Sequence, residues 1–464
     1  ILGKMGYVWQ CLARYKDALL GYEQALKALH KPLPGTRSRL WVDLIFTGGS
    51  LLLDSINPRL IKREAKPQDL FILDLLFRYT FLAWDLDVEK CLWANFWGVQ
   101  LASRLKSSPE VAGNYACHGV LCGNLGLSAR ALHYTNEAIE ISDRFENFET
   151  RGLVHCCAGA SFHNLGLYLE AKRSCLESLR LNGQVGDQRR VLSSYAILMF
   201  TYFDSGEMER SADTARIYLA KAQEADDRLM ICTAYLWLSR IYVAQERSDV
   251  AERWLRVVQK KIKQDDPALY LALAEGTAGR LELAKGHIRE AVLHFRNTYA
   301  LVRENHLRQV FVVDAAATLA HALLRQYESE GNSALLEEAR SLVKEAWKWG
   351  RFYPGLRGAA LRVRGALNFY SGKQKKAKSD LLESLEVCLK AGATYETSLS
   401  LESLAKFESA SSFNGGELIQ RMAHSLRTPS STNQVASSPP QEMLQQIVAL
   451  SNELSGLKNL KESC

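Results

Sequence analysis

The chain is 464 residues long with 47% hydrophobic content, enough for a packed interior but longer than a single hydrophobic core usually grows. Its net charge of +7 is interspersed with acids, as in KKIKQDD and LLEEARSLVKEAWK, which fits solvated helix surfaces and excludes a concentrated nucleic-acid stripe. No run reaches the roughly 18 apolar residues of a membrane span, and the ten cysteines lie mostly within apolar helical patterns without a C-x-x-C pair, so a cytoplasmic protein with buried free thiols is expected.

Only ten prolines occur, and Ala, Leu, Glu, Lys and Arg recur throughout, which favours helices over strands. The chain opens on Ile1, already inside a helical pattern and without an initiator Met, and is expected to be a segment of a longer polypeptide. Residues 1–34 read as one helix pair carrying Gly6, Trp9, Tyr15, Ala18, Tyr22 and Ala25. Residues 35–66 read as amphipathic connecting helices that become basic toward INPRLIKREAK. From 67 to 408 internal repetition dominates: GVLCGNLGLSARALHYTNEAI aligns with GASFHNLGLYLEAKRSCLESL, setting Gly119 on Gly159, Gly126 on Gly166 and Ala131 on Ala171 at an offset of 40 residues. That register reaches back to Cys91 and forward through Gly206, Ala251, Gly286 and Ala291. Looser copies place Ala339 after an inserted EGNSA loop, then Gly365, Gly372 and Ala377.

Each unit shows apolar residues at i, i+3, i+4 and i+7, a short polar turn, and a second such run, the pattern of two antiparallel amphipathic helices. Gly126, Gly166, Gly206, Gly286 and Gly372 fall where the first helix must stop, since glycine tolerates the left-handed conformation that satisfies the last carbonyls. Gly119, Gly159, Gly279, Ala131, Ala171 and Ala291 fall where helix backbones cross closely.

On these residues the chain resembles the tetratricopeptide family. Gly6, Trp9, Tyr15, Ala18, Tyr22 and Ala25 take the family's small, aromatic and alanine positions, whereas the later units run 40 rather than 34 residues and lack the closing proline. The resemblance implies an all-α, right-handed superhelical solenoid of tetratricopeptide-like helix pairs with a concave partner-binding face. The junction YEQALKALHKPLPGTRSRLWVDLIF and the closing stretch RGALNFYSGKQKKAKSDLLESLEVCLKAGATYETSLSLESLAKF are similar to those of a narrower group. In that group a P-loop ATPase module precedes the repeats, and the parent also carries a nucleotidyl cyclase, a serine/threonine kinase, or a histidine kinase with sensory domains.

Residues 409–441 turn to Ser, Thr, Asn, Gly and Pro and read as a disordered linker. Inside it, MAHSLRTP resembles the phosphoacceptor box of histidine kinases, which would make His424 the phosphorylated residue. Residues 442–464 place Met443, Ile447, Leu450, Leu454 and Leu457 at alternating spacings of four and three, a short coiled-coil seam suited to a connector helix or to dimerisation.

Catalytic chemistry finds no foothold. Around Gly372-Lys373, Leu367 replaces the first glycine of a phosphate loop and Gln374 its hydroxyl residue. Cys117, His118 and Cys122, or His155, Cys156 and Cys157, are dense but read as core packing rather than metal ligands. No G-x-S-x-G turn is present. No enzyme activity, cofactor or metal is therefore expected in this segment. By analogy with the family, Asn124, His163, Asn164, Arg240 and Arg280 lie on the inner face of the first helices and are candidate contacts for a protein or peptide partner, or for flanking domains of the same chain. The expected function is a non-catalytic interaction and signal-relay scaffold. The alternatives are a regulatory segment of a cyclase or kinase, or the repeat region of a transcription regulator.

Overall fold

A computed structural model of the chain describes residues 1–12, 14–56, 62–350, 354–409 and 415–427. Helix α1 (Leu2–Cys11) forms a hairpin with α2 (Tyr15–Ala28), and α3 (Arg37–Ile56) follows, packing against the hairpin of α4 (Pro67–Ala83) and α5 (Val88–Ala102). Then come α6 (Pro109–Asn124) with α7 (Ser128–Asp143), α8 (Phe148–Asn164) with α9 (Tyr168–Val185), and α10 (Gln188–Asp204) with α11 (Met208–Glu224). The pairs α12 (Arg228–Ala244) with α13 (Ser248–Gln259) and α14 (Ala268–Ala284) with α15 (Ile288–Glu304) continue the series. After the single turn α16 (Val310–Val313) the array resumes with α17 (Ala315–Glu330) and α18 (Ser333–Gly350), α19 (Pro354–Tyr370) and α20 (Gln374–Ala391), and α21 (Thr394–Ser409) and α22 (Gly415–Arg427). The architecture is an all-α solenoid of tetratricopeptide-like helix pairs.

The 40-residue step is built from three local devices. Asn147, Asp187 and Asp227 each accept a hydrogen bond from the N–H three residues on and so cap α8, α10 and α12. Gly126, Gly166, Gly206, Gly286 and Gly372 all have positive φ in the turn between paired helices. Close crossings use other glycines: a β-carbon on Gly119 would stand 2.4 Å from Thr135 Oγ1, and one on Gly159 2.5 Å from Cys175 Sγ. The facing alanines Ala131, Ala171, Ala251, Ala291, Ala339 and Ala377 are fully buried.

Four stretches differ from the sequence expectation. EGNSA is a tight turn and not an inserted loop: Gly331 ends α17 at φ 67°, and Asn332 accepts from the Ala334 N–H at 3.0 Å to open α18. The register slips earlier, between Ala268, where α14 begins, and Ala315, where α17 begins: 268 to 315 is 47 residues, seven beyond the usual step. Residues 62–66 are extended rather than helical, because Pro67 at the start of α4 holds Lys66 extended and Arg63 pairs with the backbone of Arg104 and Lys106 at 3.0 and 2.9 Å. Residues 415–427, which composition assigns to the linker, form α22, since Ile419, Ala423 and Leu426 recur at helical spacing and bury beside Leu401, Leu404 and Ala405 of α21. Residues 428–464, with the rest of the expected linker and the expected terminal helix, lie outside the described residues. Among the described residues, no helix is long and apolar enough to cross a membrane.

Candidate functional site

The first helices of successive pairs line the concave face, and the array curls until its ends approach its middle. Arg189 on α10 donates to the Tyr15 hydroxyl at 3.0 Å and approaches Asp85, in the α4–α5 turn, at 3.4 Å. Gln309, ahead of α16, donates its side-chain amide to the Trp84 carbonyl at 2.9 Å. At the other end Tyr395 of α21 lies 4.5 Å, ring to ring, from Phe203 of α10.

Within this curl lies a cavity of about 210 Å³. Its walls are apolar side chains and thiols from α6, α8 and α10, including Leu121, Cys117, Cys157 and Phe200, and its far side carries Trp84, Gln309 and Phe311. The Cys117 and Cys157 sulfurs lie 4.0 Å apart. Two lining groups, Thr80 Oγ1 and Arg189 Nε, are buried without a hydrogen-bond partner. A cavity of this kind, mostly apolar with a few convergent polar atoms, suits side chains of a bound partner.

Asn124, His163 and Asn164 line this cavity. Asn124 and Asn164 stand 40 residues apart at the ends of α6 and α8, and Asp204 continues the series at the end of α10. The Asn124 amide donates to the Val120 carbonyl at 2.9 Å. His163 Nδ1 meets Thr201 Oγ1 at 3.2 Å, and Thr201 itself donates to the Ile197 carbonyl at 2.7 Å, so the imidazole carries its proton on Nδ1. Its Nε2 lone pair then faces Asp204 Oδ2 at 3.6 Å. Burial pushes His163 down to about 4, and burial raises Asp204 to about 7 with Arg240 opposing.

Arg240 and Arg280 fall on the other side of Phe311. Arg280 is engaged with Asp314 at 2.6 Å and with the Gly276 carbonyl at 3.3 Å. Arg240 is 8% exposed, lies over the Trp237 ring at 4.4 Å, and donates to the Phe311 carbonyl at 3.3 Å. Burial, reinforced by Arg280, pushes its guanidinium down to about 10. The five candidates thus divide into a cavity set and an arginine set.

His424 lies on α22 with its side chain 57% exposed, its Nδ1 3.6 Å from Glu246 in the α12–α13 turn. Cysteines 91, 117, 122, 156, 157, 175, 232 and 388 are free and buried. His118 and Cys122 share a helix face, with Nε2 and Sγ 3.4 Å apart. Among the described residues no group of three or more such side chains is placed to hold a metal ion.

Sequence patterns give no sign of Arg189, Gln309 and Phe311. The first is the second residue after the Asp187 cap, a position with no signature of its own. The others sit in residues 305–314, a stretch the repeat register passes over.

No protein-family model matches the chain, and no curated protein matches it. Among solved structures it is similar to NprR in complex with its cognate peptide NprX, with a TM-score of 0.52 at 11% identity over 77% of this chain and 99% of that one. It is also similar to the apo form of the quorum sensor NprR from B. thuringiensis, with a TM-score of 0.49 at 11% identity over 76% of this chain and 98% of that one. A signal-transduction ATPase with numerous domains and a tetratricopeptide repeat sensor, from Pyrococcus horikoshii, aligns with a TM-score of 0.39 at 15% identity over 85% of this chain and 66% of that one. At these identities the likeness is one of fold: tetratricopeptide-like helical repeats.

Proposed function

We propose that this array is a non-catalytic scaffold that binds a protein or peptide partner on its concave face and relays that binding through its stacked helices. The observation that carries the reading is the cavity of about 210 Å³ on the concave face, at which Asn124 and Asn164 recur in register beside apolar walls. Side-chain amides both donate and accept, so they suit the main chain of a partner whose apolar side chains enter the cavity. The fold shared with NprR, a protein solved with a peptide, supports a peptide as the partner class.

The finer reading places the array in a larger intracellular signalling protein, between a P-loop ATPase or kinase module and a sensory or output module. It rests on the resemblance of the junction Tyr22–Phe46 and of the closing stretch Arg364–Phe407. Flanking domains of the same chain are then partners as well. Phosphorylation of His424 and dimerisation through residues 442–464 belong to the same reading.

Selection of a displayed random-peptide library on the 464-residue chain tests the scaffold. Selected peptides should lose at least about tenfold in affinity on Asn124→Ala with Asn164→Ala, the loss expected for one or two hydrogen bonds. A library that yields no ligand, together with no protein retained on the immobilised chain, sinks the reading.

A further inference from the structure

Residues 305–314 are where the array leaves its 40-residue step; Asn305 and His306 stay exposed, whereas Gln309 and Phe311 line the groove cavity. Gln309 is 2% exposed and its side chain reaches the Trp84 carbonyl across the concave face. The Phe311 ring lies 5.2 Å from Phe200 and 6.4 Å from Trp237. Its carbonyl accepts from Arg240 at 3.3 Å. An aromatic anchor in an aromatic seat, a main-chain carbonyl on a cation and a side-chain amide on a main-chain carbonyl are the contacts of a docked peptide.

The seat is only partly satisfied by its present occupant. Arg240 makes no ion pair among the described residues, and its Nε is buried with no hydrogen-bond partner. A buried guanidinium opposite a neutral carbonyl keeps much of its desolvation cost uncompensated, and a carboxylate in the same place would offset it. Asp314 does not supply the balance, because it is paired with Arg280 at 2.6 Å. The neighbouring cavity, bounded by Phe311 and Gln309, gives an incoming chain room for a further apolar side chain.

We propose that residues 307–314 are an internal occupant of the partner groove, and that the external partner is a peptide bearing an aromatic residue and a carboxylate, which takes the seat of Phe311 and gives Arg240 an anion. The proposal rests on the scaffold reading above. An occupant tethered to its own seat competes at an effective concentration in the millimolar range, so it holds down the affinity of any partner until displaced. Displacement also breaks the Gln309 contact with Trp84, and so joins occupation of the groove to the closure of the array.

The test uses a fluorescein-labelled octapeptide with the sequence of residues 307–314, LRQVFVVD, titrated into the full chain by fluorescence anisotropy. Phe311→Ala should bind it at least about tenfold more tightly than the wild type, because the tethered competitor has lost its anchor. Gln309→Ala, which keeps the phenyl ring, should shift affinity in the same direction. Adding Arg240→Met to Phe311→Ala should abolish the gain, as should an octapeptide with alanine in place of phenylalanine. Circular dichroism and the unfolding midpoint establish that each variant is folded. Equal affinity in the wild type and both single variants overturns the proposal, as does a gain that survives Arg240→Met. If library-selected peptides still depend on Asn124 and Asn164 while Phe311→Ala changes nothing, the internal occupant is wrong and the scaffold stands. If neither probe binds any variant, both fall.

Discussion

Arg189 and Tyr15 meet across 174 residues of chain, with the guanidinium donating to the hydroxyl at 3.0 Å and lying 4.8 Å from the ring centroid. Asp227 caps α12 through the Met230 N–H at 3.1 Å, accepts from the same Tyr15 hydroxyl, and stands 3.8 Å from Arg189. One buried cluster therefore ties the first hairpin to the middle of the array. It also places a cation beside the cavity, where Arg189 Nε remains without a partner.

Removing that cation should leave Asp227, 3% exposed, as a buried charge without its cation, held only by the Tyr15 hydroxyl and the Met230 N–H. Arg189→Met is expected to cost about 3 kcal/mol in denaturant unfolding, and Arg189→Met with Asp227→Asn to recover most of it. A double variant as unstable as the single one would show that packing, not charge, holds the closure.

The turn glycines allow a cleaner comparison. Gly206 and Gly286 have φ of 80° and 84°, but a β-carbon on Gly286 meets nothing within 4 Å, whereas one on Gly206 would lie 2.7 Å from Thr394 Cβ on α21. Gly286→Ala should cost about 1 kcal/mol, the backbone term alone, and Gly206→Ala roughly 2–3 kcal/mol because α21 must shift. Glu246 holds the same turn position in its unit at φ 62°, so Glu246→Gly should stabilise by about 1 kcal/mol. Thermal unfolding of the three variants measures all of these. Equal costs at Gly206 and Gly286 would mean that the α10–α21 contact carries no weight.

His118 supplies a pH dependence whose sign follows from its surroundings. It donates from Nδ1 to Asn95 at 2.7 Å and faces Cys122, and burial, aided by Arg130, pushes it down to about 3 from an ordinary 6.5. Above pH 6.5 neither the folded nor the unfolded chain protonates it, so stability is unaffected there. Between 6.5 and about 3 only the unfolded chain takes the proton, so stability falls with pH and levels off below that window. From pH about 7.5 to about 5 the wild type should lose about 2 kcal/mol more than His118→Gln in urea unfolding. Parallel losses in the two proteins would place the titration elsewhere.

Much of the solenoid is legible in the sequence pattern alone. Gly119 against Thr135, Gly159 against Cys175 and Gly365 against Leu381 are contacts between residues 16 apart within one hairpin, so periodicity places them. The candidate site is legible only in part. Asn124, His163 and Asn164 share the cavity because they lie on helices repeated in register. Arg240 and Arg280 are separated from them by Phe311, whose position depends on a seven-residue slip that the turn-like EGNSA hides.

Local periodicity therefore specifies the set of hairpins: where each helix stops, which glycines admit a close crossing, and which alanines are buried. Those features depend on neighbours a few turns away, whose relation is the same in every unit. Tertiary structure alone decided that Tyr15 reaches Arg189 and that Gln309 reaches Trp84 across 225 residues. Such contacts depend on a small rotation per repeat accumulated over many repeats, a quantity no local pattern encodes. They turn an open stack into a groove whose cavity is lined by Gln309 and Phe311 of its own chain.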